Sequence, residues 1–69
     1  MIISKVHAVA VDRGYRQADL AKAAGIRLPT LSDMYTGKIK RIQTEYIDGL
    51  CRVLHCQPGD LFEYVPDNQ

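Results

Sequence analysis

Apolar residues recur every three or four positions along most of this 69-residue chain, which is the spacing of amphipathic helices. The first apolar stripe predicts a helix that ends at Gly14, because glycine suits a helix C-terminal cap. No segment shows convincing strand alternation, so the pattern predicts an all-α fold. The residues of this first stripe are Ile2, Ile3, Val6, Val9 and Ala10.

Two further helices are predicted, one before Gly25 and one after it. The second helix runs from about Gln17 to Ala24, and the third tolerates Pro29 in its first turn and ends at Gly37. Each has one apolar face, as expected of helices that pack on a shared core. These faces comprise Leu20, Ala21 and Ala24 in the second helix and Leu28, Leu31, Met34 and Tyr35 in the third.

The rest of the chain predicts two more helices. Thr44 can cap a fourth helix. In the segment QPGDLFEYV, Pro58 suits the first position of a short last helix, and Asp60 suits its positive N-terminal dipole. The five helices are expected to share one core in a single domain, residues 1–69. The apolar face of the fourth helix comprises Ile47, Leu50, Cys51 and Leu54.

The sequence around Gly25 predicts a rigid corner between the second and third helices. Gly25 allows the left-handed backbone of a tight turn, and the small side chain of Ala21 lets the two helices approach closely. Leu20, Ile26 and Leu31 would bury the concave side of this corner. A corner of this kind, at about residues 17–36, is a helix-turn-helix, which holds the third helix at an angle suited to the DNA major groove.

The two cysteines, Cys51 and Cys56, exclude a disulfide scaffold and a four-cysteine zinc site. Their five-residue spacing predicts positions on different sides of a helix, as two reduced, buried thiols. The apolar N-terminal stretch is interrupted by Lys5 and His7 and is too short to span a membrane. We therefore expect a soluble protein of the reducing cytoplasm.

Charge is unevenly distributed, although the net charge is only +1. Up to Ile42 eight basic side chains face three acidic ones, whereas from Gln43 onward one arginine faces five carboxylates. One end of the molecule can therefore face phosphate, unless the asymmetry belongs to an ordinary solvated surface. The basic residues of the first part are Lys5, Arg13, Arg16, Lys22, Arg27, Lys38, Lys40 and Arg41, and the acidic residues of the second are Glu45, Asp48, Asp60, Glu63 and Asp67.

Several motifs occur together between about Val6 and Phe62. Gln17 opens the second helix and is followed by DLAKAAGI, then by the series Leu31, Ser32 and Met34, by TGK, and by the tail LCRVLHCQPGDLFEYVPD. In this combination the chain resembles the Cro/XRE-type helix-turn-helix family, which includes the lambdoid phage repressors. The resemblance implies a five-helix lambda-repressor-like domain in a sequence-specific regulator that binds double-stranded DNA, is usually dimeric and bacterial or phage-borne, and has no cofactor.

The resemblance also implies two sets of DNA contacts. Gln17 corresponds to the family's phosphate-binding glutamine, at a helix N-terminus that favours an anion. The positions that read base edges are Arg27, Leu28, Pro29, Thr30 and Asp33. The phosphate-binding positions are Arg16, Gln17, Ser32, Thr36, Lys38, Lys40 and Arg41.

The third helix departs from the family pattern, because neither Leu28 nor Pro29 can make a bidentate base contact. Leu28 can touch a thymine methyl group, Arg27 can bridge guanine O6 and N7, and Asp33 can accept from a cytosine amino group. Two functions remain open: a transcriptional regulator, most simply a repressor on a two-half-site operator, or a protein-interaction module such as an antirepressor or accessory subunit. A homodimer is expected through the C-terminal residues Leu61, Phe62, Tyr64 and Val65, unless these close the monomer core, as we expect for Leu61.

Enzyme function is not expected. His7 and His55 lie far apart in the sequence, with no H-x-x-x-H motif, phosphate-cradling glycine loop or nucleophile elbow. The carboxylates are scattered, and a domain of this size offers little room for a pocket. No metal or small-molecule ligand is therefore predicted.

Overall fold

Five helices follow one another between two short strands in the computed structural model, which describes residues 1–66. The elements in chain order are β1 (Ile2–Ser4), α1 (Val6–Asp12), α2 (Gln17–Ala24), α3 (Leu28–Thr36), α4 (Thr44–Leu54), α5 (Pro58–Leu61) and β2 (Phe62–Tyr64). Asp67, counted above among the acidic residues, lies outside the described residues. The longest helix, α4, has 11 residues, so no helix within residues 1–66 is long enough to cross a bilayer.

One hydrophobic core receives side chains from all five helices. Full burial of an aliphatic side chain contributes about 1.5 to 3 kcal/mol, so this shared core is the main source of stability. Leu61 of α5 belongs to it, which confirms the expectation that this residue closes the core of the monomer. The buried hydrophobic residues are Val6, Ala10, Leu20, Ala21, Ala24, Ile26, Leu31, Met34, Leu50, Leu54 and Leu61.

The predicted bounds of α2 and the glycines that end α2 and α3 are confirmed. Gly25 follows α2 with a φ of 72°, and Gly37 follows α3 with a φ of 76°. Both are left-handed conformations that residues with a Cβ atom rarely adopt. Local sequence therefore determines where these two helices end.

Gly49 sets the packing of α4 against α2, a role that the sequence pattern did not reveal. This residue is buried in the middle of α4. A Cβ atom at this position would lie 2.5 Å from the carbonyl oxygen of Ala24, the last residue of α2. Only glycine therefore allows this close approach of the two helices.

The two strands correct the all-α prediction. Ile2 and Ile3 belong to β1 rather than to the first helix, and Phe62–Tyr64 forms β2 rather than extending α5. The strands pair antiparallel, with Ile2 opposite Tyr64. Isoleucine, phenylalanine and tyrosine fit a half-buried sheet, and pairing satisfies backbone groups that a frayed helix end would leave to water. A local pattern could not show this, because the two strands lie at opposite ends of the chain.

The helix starts differ in how closely they follow the prediction. Gln43, rather than Thr44, is the N-cap of α4, and Thr44 is the first residue of the helix. Pro58 begins α5 as predicted. The Asp60 carboxylate accepts a hydrogen bond of 2.9 Å from the Gln57 N–H, so it stabilises the start of α5 by a direct bond as well as by its charge.

Cys51 and Cys56 lie together, so the prediction that they occupy different sides of a helix is wrong. The helix ends at Leu54, and His55 turns the chain back with a φ of 55°. The Cys56 N–H then donates to the Cys51 carbonyl at 3.2 Å. Both side chains are half-buried. Burial raises the pKa of the Cys56 thiol, and neighbouring Cys51 and Asp60 raise it further, which favours the protonated form.

An aromatic contact joins α1 to α3. The rings of His7 and Tyr35 stack with centroids 4.6 Å apart and an interplanar angle of 13°. The Tyr35 hydroxyl is buried and has no hydrogen-bond partner among residues 1–66, and its burial raises the pKa of this phenol. The stacking holds the C-terminal end of α3 against α1.

Candidate nucleic-acid interface

The corner between α2 and α3 has the geometry that the sequence predicted. The N–H groups of Gly25 and Ile26 both donate to the Ala21 carbonyl, the second at 2.9 Å. Leu20, Ile26 and Leu31 are all buried on its concave side. Since the turn is closed by hydrogen bonds and filled by apolar side chains, α3 is held at a fixed angle to α2.

The outer face of α3 is open to solvent over its N-terminal half. Arg27 is the N-cap, with an extended backbone and no side-chain bond to the helix. Leu28 and Pro29 follow in the first turn, and Leu28 is 48% exposed. Asp33 is exposed, whereas Thr30 is half-buried. The predicted base-reading residues thus lie in the first two turns of one short helix, with Thr30 the least accessible.

An open groove of about 460 Å³ lies between the first turn of α2 and the start of α3. Its walls bring Gln17, from the predicted phosphate-binding set, next to Leu28 and Pro29 from the base-reading set. Ser32 completes the α3 side, and Ala18 completes the α2 side. A role for Ala18 was not predicted from the sequence, although its position one residue after Gln17 is a signal that could have indicated one.

The basic loop, defined here as residues 37–42, follows α3 and is anchored by its isoleucines. Ile39 and Ile42 pack on the core, while Lys38, Lys40 and Arg41 are exposed. The N–H groups of Lys38 and Ile39 donate to the Asp33 carbonyl at 2.9 and 3.3 Å, which ties the loop to the end of α3. The alternation of buried and charged residues therefore directs three cations outward from a fixed backbone.

The remaining phosphate-binding candidates differ in their exposure and in their hydrogen bonds. Arg16 is the exposed N-cap of α2, and Ser32 is exposed on α3. Thr36 is the last residue of α3 rather than part of the loop. Its hydroxyl donates to the carbonyl groups of Ser32 and Asp33, at 3.2 and 3.4 Å. A phosphate oxygen accepts hydrogen bonds, and the Thr36 hydroxyl already donates its proton within α3.

Two of the eight basic residues counted in the first part of the chain act elsewhere. Lys5 lies 3.9 Å from the Glu63 carboxylate beside the sheet. Arg13 pairs with Asp12, and its Nε donates to the Leu54 carbonyl at 3.0 Å. A cation at this position satisfies an orphan carbonyl and complements the negative end of α4. The positive surface is therefore narrower than the residue count suggested.

The fixed corner between α2 and α3, the exposed face of α3 and the basic loop that follows it are together typical of helix-turn-helix DNA-binding domains. The Cro/C1-type HTH DNA-binding domain family matches residues 5–67, and the chain belongs to this family. A relative from Bacillus subtilis (strain 168), named "Uncharacterized HTH-type transcriptional regulator YozG", is 33% identical over 66 residues, which are 96% of this chain and 79% of that protein.

Two solved structures have the same fold. The structure named "Crystal structure of transcriptional regulator VanUg, Form II" superposes with a TM-score of 0.76 at 24% identity, over 96% of this chain and 87% of that one. A chain of the SinR protein/SinI protein complex gives 0.75 at 18% identity, over 80% of this chain. The present chain spans about half of that second chain, 53% of its length.

Proposed function

We propose that the protein is a sequence-specific regulator of transcription that inserts α3 in the major groove of double-stranded DNA. It acts most simply as a cytoplasmic repressor that occupies a two-half-site operator and blocks access to a promoter. The observation that carries this proposal is that the first half of α3 is exposed and that the loop at the other end of the same helix presents three exposed cations. Base-edge readers and phosphate ligands are thus supplied by one helix and the loop that follows it. No catalytic step is part of this proposal.

Each polar side chain of this surface has a proposed partner on DNA. Arg27 donates to guanine O6 and N7, and Asp33 accepts from a cytosine amino group, a contact that offsets its unfavourable position near phosphate. Lys38, Lys40 and Arg41 contact the phosphate backbone. Further backbone contacts come from Arg16 and Gln17 at the start of α2, with Thr30 and Ser32 near the groove walls.

A second candidate function follows from the apolar groove between α2 and α3. Leu28 and Pro29 are exposed where a base-reading helix would ordinarily carry amide or small polar side chains. They would equally suit an apolar side chain of another protein, as in an antirepressor or an accessory subunit. Such a module would bind nucleic acid only as a non-specific polyanion, so measurements with DNA distinguish the two functions.

The Lys40→Ala substitution tests the phosphate face. Each phosphate contact contributes about −0.9 to the slope of log affinity against log salt concentration. A two-fold dimer contains the residue twice, so the variant is expected to flatten the slope by about 2 and to weaken selected and scrambled DNA about equally. The measurement is a salt titration of binding to both duplexes.

Lys22→Ala is the matched control, because Lys22 is an exposed lysine in the last turn of α2, outside the basic loop. It is expected to leave the slope unchanged. A slope that Lys40→Ala does not alter would contradict the phosphate face. If the wild-type protein binds selected and scrambled DNA with equal affinity, the protein-interaction module is the better description.

The homodimer is proposed to form through the end of the two-stranded sheet. Four exposed large hydrophobic residues, Met1, Ile2, Ile3 and Tyr64, belong to this end of the sheet, and Ile2 and Tyr64 are paired across the strands, so their side chains share one face. Exposed apolar surface concentrated in this way marks an interaction site, whereas single exposed residues do not. Because Met1 and Val65 exchange two hydrogen bonds, the next pair, Ile2 and Tyr64, directs its N–H and C=O groups outward. A second copy can therefore add both apolar contacts and strand pairing.

Pairing through the sheet is proposed to leave the start of α3 free for DNA, because the sheet lies at the other end of that helix, beside Tyr35 and Thr36. Ile2 and Phe62 line a groove with Gly37, Ile39 and Ile42, so the sheet lies beside the basic loop. Two copies joined there would carry their α3 helices on either side of the contact. That arrangement is the one required for two half-sites about one helical turn apart.

Tyr64→Lys is expected to convert a dimer into a monomer, because it adds like charges where the two copies meet. Val11→Lys is the control: Val11 is 63% exposed and Tyr64 67%, but Val11 lies on α1. Sedimentation velocity, with and without a two-half-site duplex, measures the mass. A wild-type protein that stays monomeric both free and on DNA would remove the proposed dimer.

A further inference from the structure

The groove between α2 and α3 is lined largely by carbon. Ala18 of α2 and Leu28 and Pro29 of α3 contribute its apolar lining, and Leu28 is 48% exposed. Polar groups are confined to Gln17 and Ser32. A surface for phosphate alone would present donors, so this part of the face suits an apolar group better than a phosphate.

The chemistry of the major groove limits what that ligand can be. Among the groups of the major-groove code, the C5-methyl group of thymine is the apolar one that projects from a base edge, whereas the rest of the code consists of hydrogen-bond donors and acceptors. Leu28 and Pro29 have no side-chain donor or acceptor, and Ala18 has none either. The residues at the start of a recognition helix are also those that reach base edges.

We propose that this groove reads the methyl group of a thymine, with Leu28 as the contacting side chain and Ala18 and Pro29 as the walls. The inference rests on the proposed function and deepens it by naming the base at one position of each half-site. Phosphate contacts of Gln17, at the rim of the groove, would hold the duplex in register so that the methyl group meets Leu28.

The free energy of burying one methyl group sets the expected loss of DNA affinity. Removing one buried methyl group weakens binding about fourfold, the equivalent of about 0.8 kcal/mol. In a two-fold complex the loss occurs once per half-site, so replacing both thymines weakens binding about fifteenfold. A cytosine at the same position lacks the methyl group and also presents an amino group, so it is rejected at least as strongly.

The experiment uses deoxyuridine, which differs from thymidine only in lacking the methyl group. Duplexes are first selected by the wild-type protein from a random-sequence library. Each thymine of the selected duplex is then replaced by deoxyuridine, one position at a time, and affinities are measured at one fixed salt concentration. We expect about a fourfold loss at one position per half-site and no change at the others.

Variants of the protein assign the effect to a residue. Leu28→Ala is expected to bind the thymine and deoxyuridine duplexes equally, because the methyl group no longer has a partner. Val11→Ala shortens an exposed aliphatic side chain outside the groove and is expected to keep the fourfold discrimination.

Failure of this inference is distinguishable from failure of the proposed function. If the protein selects a duplex but the deoxyuridine series is flat, DNA recognition stands and thymine reading is wrong. If discrimination persists in Leu28→Ala, the assignment to this groove is wrong. If no duplex is selected, the proposed function and this inference are overturned together.

Discussion

Gly49→Ala is expected to destabilise the protein by about 2 to 3 kcal/mol, although alanine is the better helix former. The new methyl carbon would lie 2.5 Å from the carbonyl oxygen of Ala24, and a backbone atom cannot rotate away. Relief requires α4 and α2 to separate, which opens the core around Leu20 and Leu50. Since a domain of this size is stable by only about 4 to 10 kcal/mol, the loss is easily measured as a lower urea midpoint.

Gly59→Ala is the matched control for this substitution. Gly59 also lies in a helix, α5, but a Cβ atom there has nothing within 4 Å. Alanine is expected to leave stability unchanged or to raise it by up to about 1 kcal/mol through its higher helix propensity. Equal midpoints for the two variants would mean that the α2–α4 contact tolerates a side chain.

Gly25→Val is expected to cost about 1 to 3 kcal/mol and to weaken DNA binding at the same time. The cost arises from the backbone, since φ is 72° and a Cβ atom at this position meets no neighbour within 4 Å. A β-branched residue avoids this conformation, so the chain relieves the strain by changing the angle between α2 and α3. Thermal unfolding and affinity for the selected duplex are the two measurements.

Gly25→Asn separates backbone strain from mere loss of glycine. Asparagine adopts the left-handed conformation more readily than other residues with a side chain, and the position has room for it. Its stability and affinity are expected to lie close to those of the wild type. If valine and asparagine gave the same small effect, the turn would not depend on its left-handed backbone.

The bounds of α2 and α3 could be predicted from sequence because they are set by residues at the helix ends themselves. Gly25 and Gly37 end α2 and α3 through their own backbone preferences, and the apolar residues between them repeat at helical spacing. Leu28 is an exception: the spacing put it on the apolar face of Leu31 and Met34, yet it is 48% exposed whereas those two residues are fully buried.

Features that depend on distant contacts could not be predicted. The role of Gly49 exists only because Ala24 lies against it, and β1 is a strand only because β2 pairs with it. The proximity of Cys51 and Cys56 depends on His55, a residue with a side chain that nevertheless adopts a left-handed turn. In each case the structure depends on a distant partner or on an unexpected turn, and neither can be recognised from the spacing of apolar residues.

The candidate site was predictable in its helical part and less so in its charges. The start of α3 and the cations of the basic loop lie where the motifs indicated. Charge counting could not show that Arg13 caps α4 or that Lys5 lies beside Glu63, because both partners are distant in sequence. Nor could it show that the Thr36 hydroxyl is engaged within its own helix.

The sheet that joins Ile2 to Tyr64 has a consequence for the order of folding. Bringing these residues together closes a loop that contains nearly the whole chain, and three residue pairs return little for that entropic cost unless the helices have already shortened the distance. We therefore expect the strands to pair after the helices have packed and to separate before the helices unfold. In the proposed dimer the contact surface exists only while the strands are closed, so strand closure and self-association would stabilise each other. The fraction of closed sheet would then rise with protein concentration.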